Sequence, residues 1–224
     1  MCFSATASFT VAAGLGASGV YCLAATSRAG SNWLALAAFP IFFSVQQVAE
    51  GTLWLALAED NSAAADIAAR SFVFFSHFFW LAWVPFSVFL IETVPWRRRI
   101  LAALALFGGM FGLSIGLPAL LMSDWLTVEV VRNSLNYRTT LIYDGWVDRN
   151  VLRIVYALII VLALTIPIDW RIRAFGALIA ASLFVTFAYY SYAFISVWCF
   201  FAAILSAYLI FVAHTVQRKA APIA

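Results

Sequence analysis

The sequence predicts an all-α integral membrane protein. It reads as a bundle of seven transmembrane helices, N-terminus out and C-terminus in, with a small extracytoplasmic β-hairpin between the fourth and fifth. Three observations predict this. First, 65% of the 224 residues are hydrophobic and only 10% are charged, at a mean hydropathy of +0.98. A soluble domain carries about 25% charged residues, so too little polar surface exists here to cover a water-soluble globule. Second, the apolar residues fall into runs near the roughly 20 residues needed to cross a bilayer core. Third, the basic residues gather in alternate loops. The net charge of +3 is small and gives no reason to expect nucleic acid as a partner; the expected solvent is the lipid bilayer of the inner (plasma) membrane.

Residues 1–224 form one membrane domain, with spans at about 8–26, 33–58, 71–93, 100–122, 151–168, 174–191 and 194–215. The opening MCFSATASFTVAAG has no basic n-region and no A-x-A-like exit, so it reads as the start of the mature protein and not as a cleaved leader. In the first span Ala12 pairs with Gly16 and Ala13 with Ala17, spacings of four that allow close helix contact. The fourth has Gly108, Gly112 and Gly116 on one face for the same purpose. Pro40, Pro85 and Pro118 lie in or near spans, where they should bend them. Only a short aromatic linker, residues 189–194, separates the sixth and seventh spans.

Charge sets the orientation. One side receives Arg28, Arg97, Arg98, Arg99, Arg171, Arg173, Arg218 and Lys219, against Glu92 and Asp169. The other receives Glu59, Asp60, Asp66, Asp124, Glu129, Asp144 and Asp148, against Arg70, Arg132, Arg138, Arg149 and Arg153. Lys and Arg concentrate in cytoplasmic loops, so the first side is expected inside. Merging the last two spans would put the basic tail outside, which fits worse. On the outer side, segment 123–150 has two β-rich runs flanking Asn133-Ser134. It is expected to form a hairpin over the bundle, either closing it or offering a surface to a membrane-protein partner.

The polar groups predicted within the membrane define the candidate site. The second span contains Gln46, Gln47 and Glu50, and Glu50 is the one acid placed well inside the hydrocarbon. Helical spacing puts the three on adjoining parts of one face. The third span contributes His77, the one histidine expected in a span interior. Counting from the outer boundary at 1.5 Å per residue, Glu50 lies roughly 13 Å deep, His77 roughly 9 Å and Cys199 roughly 8 Å; Tyr156 is similarly placed. Glu50 and His77 are therefore candidate acid–base or catalytic residues, because intramembrane ionisable groups mark function. Gln46, Gln47, Trp54, Trp80 and Tyr156 are candidates to line a substrate pocket, and Trp83 and Trp198 also lie deep.

A competing reading makes the Gln-Gln-Glu-His cluster a hydrogen-bonded clasp between helices. With Cys2, the pair Glu50 and His77 would offer thiolate, carboxylate and imidazole to zinc, copper or iron. If Met1 is removed, Cys2 also presents an amine beside its thiol. Three functional classes stay open: a metal-binding or redox enzyme facing outward, a small-solute or proton transporter built on Glu50, and an accessory subunit docking through 123–150. Three cysteines without a CxxC argue against a disulfide framework or structural zinc. Cys22 and Cys199 read first as small buried hydrophobes.

Other classes fall away. The one lysine, Lys219, lies in the tail, so there is no Schiff-base lysine for retinal; two histidines are too few for two bis-histidine haems or a three-histidine zinc site. No Gly-rich phosphate loop or GxSxG occurs. The string Met1-Cys2-Phe3-Ser4-Ala5-Thr6-Ala7-Ser8-Phe9, with Gln46-Gln47-x-x-Glu50-Gly51-x-x-Trp54, resembles a family of uncharacterised bacterial multi-span membrane proteins. The resemblance implies a membrane bundle over most of the chain and brings no catalytic assignment.

Overall fold

A computed structural model describes residues 4–28 and 30–220. Among them are seven helices: α1 (Ala5–Ser27), α2 (Leu34–Ala58), α3 (Ser62–Ile91), α4 (Pro95–Leu121), α5 (Arg149–Thr165), α6 (Trp170–Tyr189) and α7 (Ser191–Arg218). Strands β1 (Leu126–Val131) and β2 (Ser134–Thr139) stand between α4 and α5. Six helices are long and apolar enough to cross a membrane, which makes this a multi-pass membrane protein; α5 is shorter, at 17 residues. Large apolar side chains such as Leu106, Met110, Leu121 and Phe184 lie exposed along the outside, where lipid is the fitting solvent.

Helix α3 begins at Ser62, well before the expected 71. The intervening stretch is polar enough to read as a loop, but Asn61 caps its first turn through Ala64 N. Arg70 pairs with Asp66 one turn back and donates to the carbonyls of Ala119 and Leu120 at the end of α4. Further along, Phe74–Phe79 widen into a π-helical turn. The extra residue in such a turn lets Phe75, Ser76 and His77 all be buried in succession. Gly112 and Gly116 lie directly against this turn: a Cβ at Gly112 would stand 3.0 Å from the His77 carbonyl oxygen, and one at Gly116 would stand 3.3 Å from His77 Cβ. One at Gly108 would overlap the Leu81 carbonyl. The glycine face of α4 is therefore the seam with α3. Ala12 and Gly16 meet Ser44 of α2, whose hydroxyl donates to the Ala12 carbonyl at 2.7 Å.

The hairpin is antiparallel, registered Leu126↔Thr139 through Val131↔Ser134. Its turn is Arg132-Asn133, both at positive φ (49° and 56°), one residue earlier than Asn133-Ser134. Two-residue hairpin loops take this left-handed conformation because it matches strand twist. The shift puts Leu135 and Tyr137 inward, and Tyr137 stacks on Phe72 with ring centroids 4.4 Å apart. These residues pack with Leu53, Ala68, Ala69, Ala119 and Cys199, so the hairpin is a roof on the bundle. Tyr143, in the loop after it, donates to Ser114 Oγ of α4 at 2.8 Å.

At the opposite, basic end the loops are tied by side chains. Glu92 accepts from Thr93 N and Val94 N at 2.8 Å and from Ile168 N at 2.9 Å, fastening the α3–α4 loop to the α5–α6 loop. Arg171 pairs with Asp169, donates to Thr215 Oγ1 at 2.7 Å and lies over the Trp33 ring.

Candidate functional site

Two layers make the site: a buried polar row on α2 and a cavity between that row and the hairpin. Gln46, Gln47 and Glu50 are wholly buried, as their shared helical face requires. Gln46 Oε1 accepts the Trp80 indole N–H at 2.8 Å, and Trp80 stacks on Phe43 at 3.9 Å between centroids. Glu50 accepts from Gln47 Nε2 at 3.3 Å and from Ser196 Oγ of α7 at 2.6 Å. Gln46 Nε2 finds no nitrogen or oxygen acceptor among the described residues; beside it lies the sulfur of Cys199, a weak acceptor at best. Gln47 Oε1 and Trp54 Nε1 are also buried without hydrogen-bond partners among the described residues. Buried polar groups in native folds are nearly all paired; unpartnered atoms also occur elsewhere among the described residues, at Ser8 and at Arg97 near the basic end, so they do not by themselves set this row apart from a helix clasp.

The cavity has a volume of about 650 Å³. Its roof is β2 and the loop that follows, its sides are the first turns of α5 and α7, and its floor includes Ser76, His77, Tyr156, Trp198 and Cys199. Ser196, which holds Glu50, is also on its wall. A second, apolar cavity of about 40 Å³ adjoins it on the side of Phe39, Phe43 and Trp80; Tyr156, Trp198 and Cys199 line both. Above the floor, Arg149 holds Asp144 by two hydrogen bonds (3.0 and 2.7 Å) and the Thr139 carbonyl by another. The hydrogen bonds from Arg149, the largest cause, keep the Asp144 carboxyl below its usual range, and a bond from Leu141 N acts in the same direction.

The residues expected from sequence are partly gathered. Gln46 is bonded to Trp80 and Gln47 to Glu50, two pairs along one face of α2; His77 and Tyr156 line the large cavity; Trp54 lies apart, packed beside Leu53 under the hairpin. No hydrogen bond or ion pair joins Glu50 to His77, whose Nδ1 is engaged by the neighbouring Ser76 hydroxyl at 3.0 Å. Cys2 lies outside the described residues. Among the described residues no group of three or more His, Cys, Asp or Glu is placed to hold a metal, so a zinc, copper or iron site would need Cys2 as well. Sequence reasoning missed Ser196 as the partner of Glu50 and missed the arginines Arg138, Arg149 and Arg153 as cavity-lining groups. A lone hydroxyl in the apolar run Phe194–Phe200 was the signal for Ser196; the arginines carried none beyond their charge.

A family model described as a family of unknown function (DUF6629) matches residues 1–224. No curated protein matches the chain, and no solved structure matches it.

Proposed function

We propose that the chain, which belongs to DUF6629, sits in the bacterial inner membrane with its hairpin end and N-terminus outside. There it binds a small molecule beneath the hairpin, with His77 and Glu50 as the acid–base groups of the site. The single observation that carries this reading is the cavity itself: about 650 Å³ of space touching His77 directly and Glu50 through one hydrogen bond from Ser196. Ligand pockets commonly fall in this size range, with an apolar wall and few convergent polar groups. The basic loops at the opposite end support the orientation. Binding is favoured over passage across the membrane because the space beyond the floor narrows to about 40 Å³ lined by Phe39, Phe43, Val84, Ile160 and other apolar groups.

Thiol labelling tests it. In a Cys2→Ser, Cys22→Ser, Cys199→Ser background, a cysteine at Ile195→Cys on the cavity wall should react with neutral methyl methanethiosulfonate in intact cells, and Leu152→Trp, which fills the cavity wall, should slow that reaction at least about tenfold. A cysteine at Asn136→Cys should react with a membrane-impermeant thiosulfonate added outside, and one at Arg218→Cys only after permeabilisation. If neither Ile195→Cys nor Asn136→Cys reacts, there is no open cavity; if the sidedness is reversed, the orientation is wrong.

A further inference from the structure

We infer that the cavity selects an oxyanion: a carboxylate or phosphate carried on a small aromatic or apolar body. The inference rests on the reading of the cavity as a ligand site and names the class of ligand. Three guanidinium groups line it, from Arg138, Arg149 and Arg153. Arg138 is matched by Glu129 at 3.0 Å and Arg149 by Asp144 at 2.7 Å. Arg153 has no carboxylate within ion-pair distance among the described residues; its one hydrogen bond is a long one, 3.4 Å, to the neutral Asn150 amide oxygen. It lies 5.5 Å over the Phe194 ring, which also lines the cavity. A half-buried guanidinium held against an aromatic face keeps several donors unused, and carboxylates and phosphates are the groups whose paired oxygens match that fork.

Trp198 gives a second, independent sign. It is 5% exposed, it lines the cavity, and its indole N–H, which can only donate, has no acceptor among the described residues. Phe194 stands 5.7 Å from Trp198, and Trp198 stands 5.5 Å from Tyr156, between ring centroids. Guanidinium, phenyl, indole and phenol thus follow one another along one wall from rim to floor. Its surplus is of donors at the rim and of aromatic faces below, which suits a molecule with an acceptor-rich head and a flat apolar body. Asp124 also lines the cavity, but it stands on the hairpin side and is already engaged.

Three probes with one aromatic body and different charge test this: anionic dansylglycine, neutral dansylamide and cationic dansylcadaverine. They are titrated by fluorescence against the full chain in zwitterionic lipid nanodiscs, with empty discs subtracted. Dansylglycine should bind at least about tenfold tighter than dansylamide, and dansylcadaverine weakest. Arg153→Gln should abolish the preference, Arg153→Lys should keep part of it, and Leu152→Trp should weaken all three probes. Adding phosphatidylglycerol to the discs identifies the source. Displacement of dansylglycine marks a lipid-borne phosphate and unaltered binding marks a soluble anion; both outcomes uphold the oxyanion site. Equal affinities, a preference for dansylcadaverine, or a preference untouched by Arg153→Gln overturn the inference and leave the cavity standing. Failure of every probe to bind overturns the ligand-site reading as well.

Discussion

Glu50 and Glu92 are two buried carboxyls, 0% and 4% exposed, at opposite ends of the same bundle, and they do different work. Glu92 is held by three backbone N–H groups from two loops. Those donors exist whatever the neighbouring side chains are, and together they leave the carboxylate little to offer anything else. Glu50 accepts from the side chains of Gln47 and Ser196, and Ser196 lines a cavity. Burial alone therefore does not set the two carboxyls apart. The kind of donor does: backbone amides fix a fold, whereas side-chain donors next to open space can be exchanged for a ligand.

The largest expected effect falls on Glu92. Glu92→Ala orphans three backbone donors at about 1 kcal/mol or more each, so it should lower stability by about 3 kcal/mol and separate the α3–α4 and α5–α6 loops. A fall in Tm in detergent would register it. Tyr137→Ala comes next. It removes the ring stacked on Phe72 and should cost about 2–3 kcal/mol, toward the low end for aromatic truncation because the site is at the rim. The loss should be local: faster hydrogen exchange across β1 and β2, with the basic end unchanged.

Glu50→Gln is smaller, about 1 kcal/mol, because the amide keeps an acceptor for Ser196. A Tm loss equal to that of Glu92→Ala would erase the contrast between the two ends. The smallest effect is the acid response of Asp144. Its folded pKa lies below the unfolded value, so its contribution is complete above the ordinary carboxylate range and fades as pH falls through the folded pKa. The pair with Arg149 is partly exposed, and its worth is at most about 1 kcal/mol. Exchange in the loop 140–148 should rise under acid in the native chain and be insensitive to the same acidification in Asp144→Asn.

Much of the architecture was legible because it depends on local spacing. Gly108, Gly112 and Gly116 recur every four residues, and that period places them on one face whatever the face meets. Gln46, Gln47 and Glu50 were legible as one buried row for the same reason. The start of α3 was not, because Asp66 and Arg70 look like loop residues until they pair one turn apart on a helix. His77 was recognised as an intramembrane imidazole, but the π-helical turn that sets its direction leaves no clear mark in a run of Phe and Ser.

By itself, then, the sequence determined a lipid-solvated helical chain with a hairpin between its fourth and fifth helices, a glycine seam and a buried polar row. Hydropathy, side-chain size and helical period act within one segment, and each can be read along the chain. Only the tertiary structure decided which helix the glycines meet, that Ser196 rather than His77 grips Glu50, and that Arg153 and Trp198 border the same space. Those facts depend on which faces come together across segments up to 146 residues apart. No periodicity encodes that meeting; it is fixed by close packing of all the helices at once.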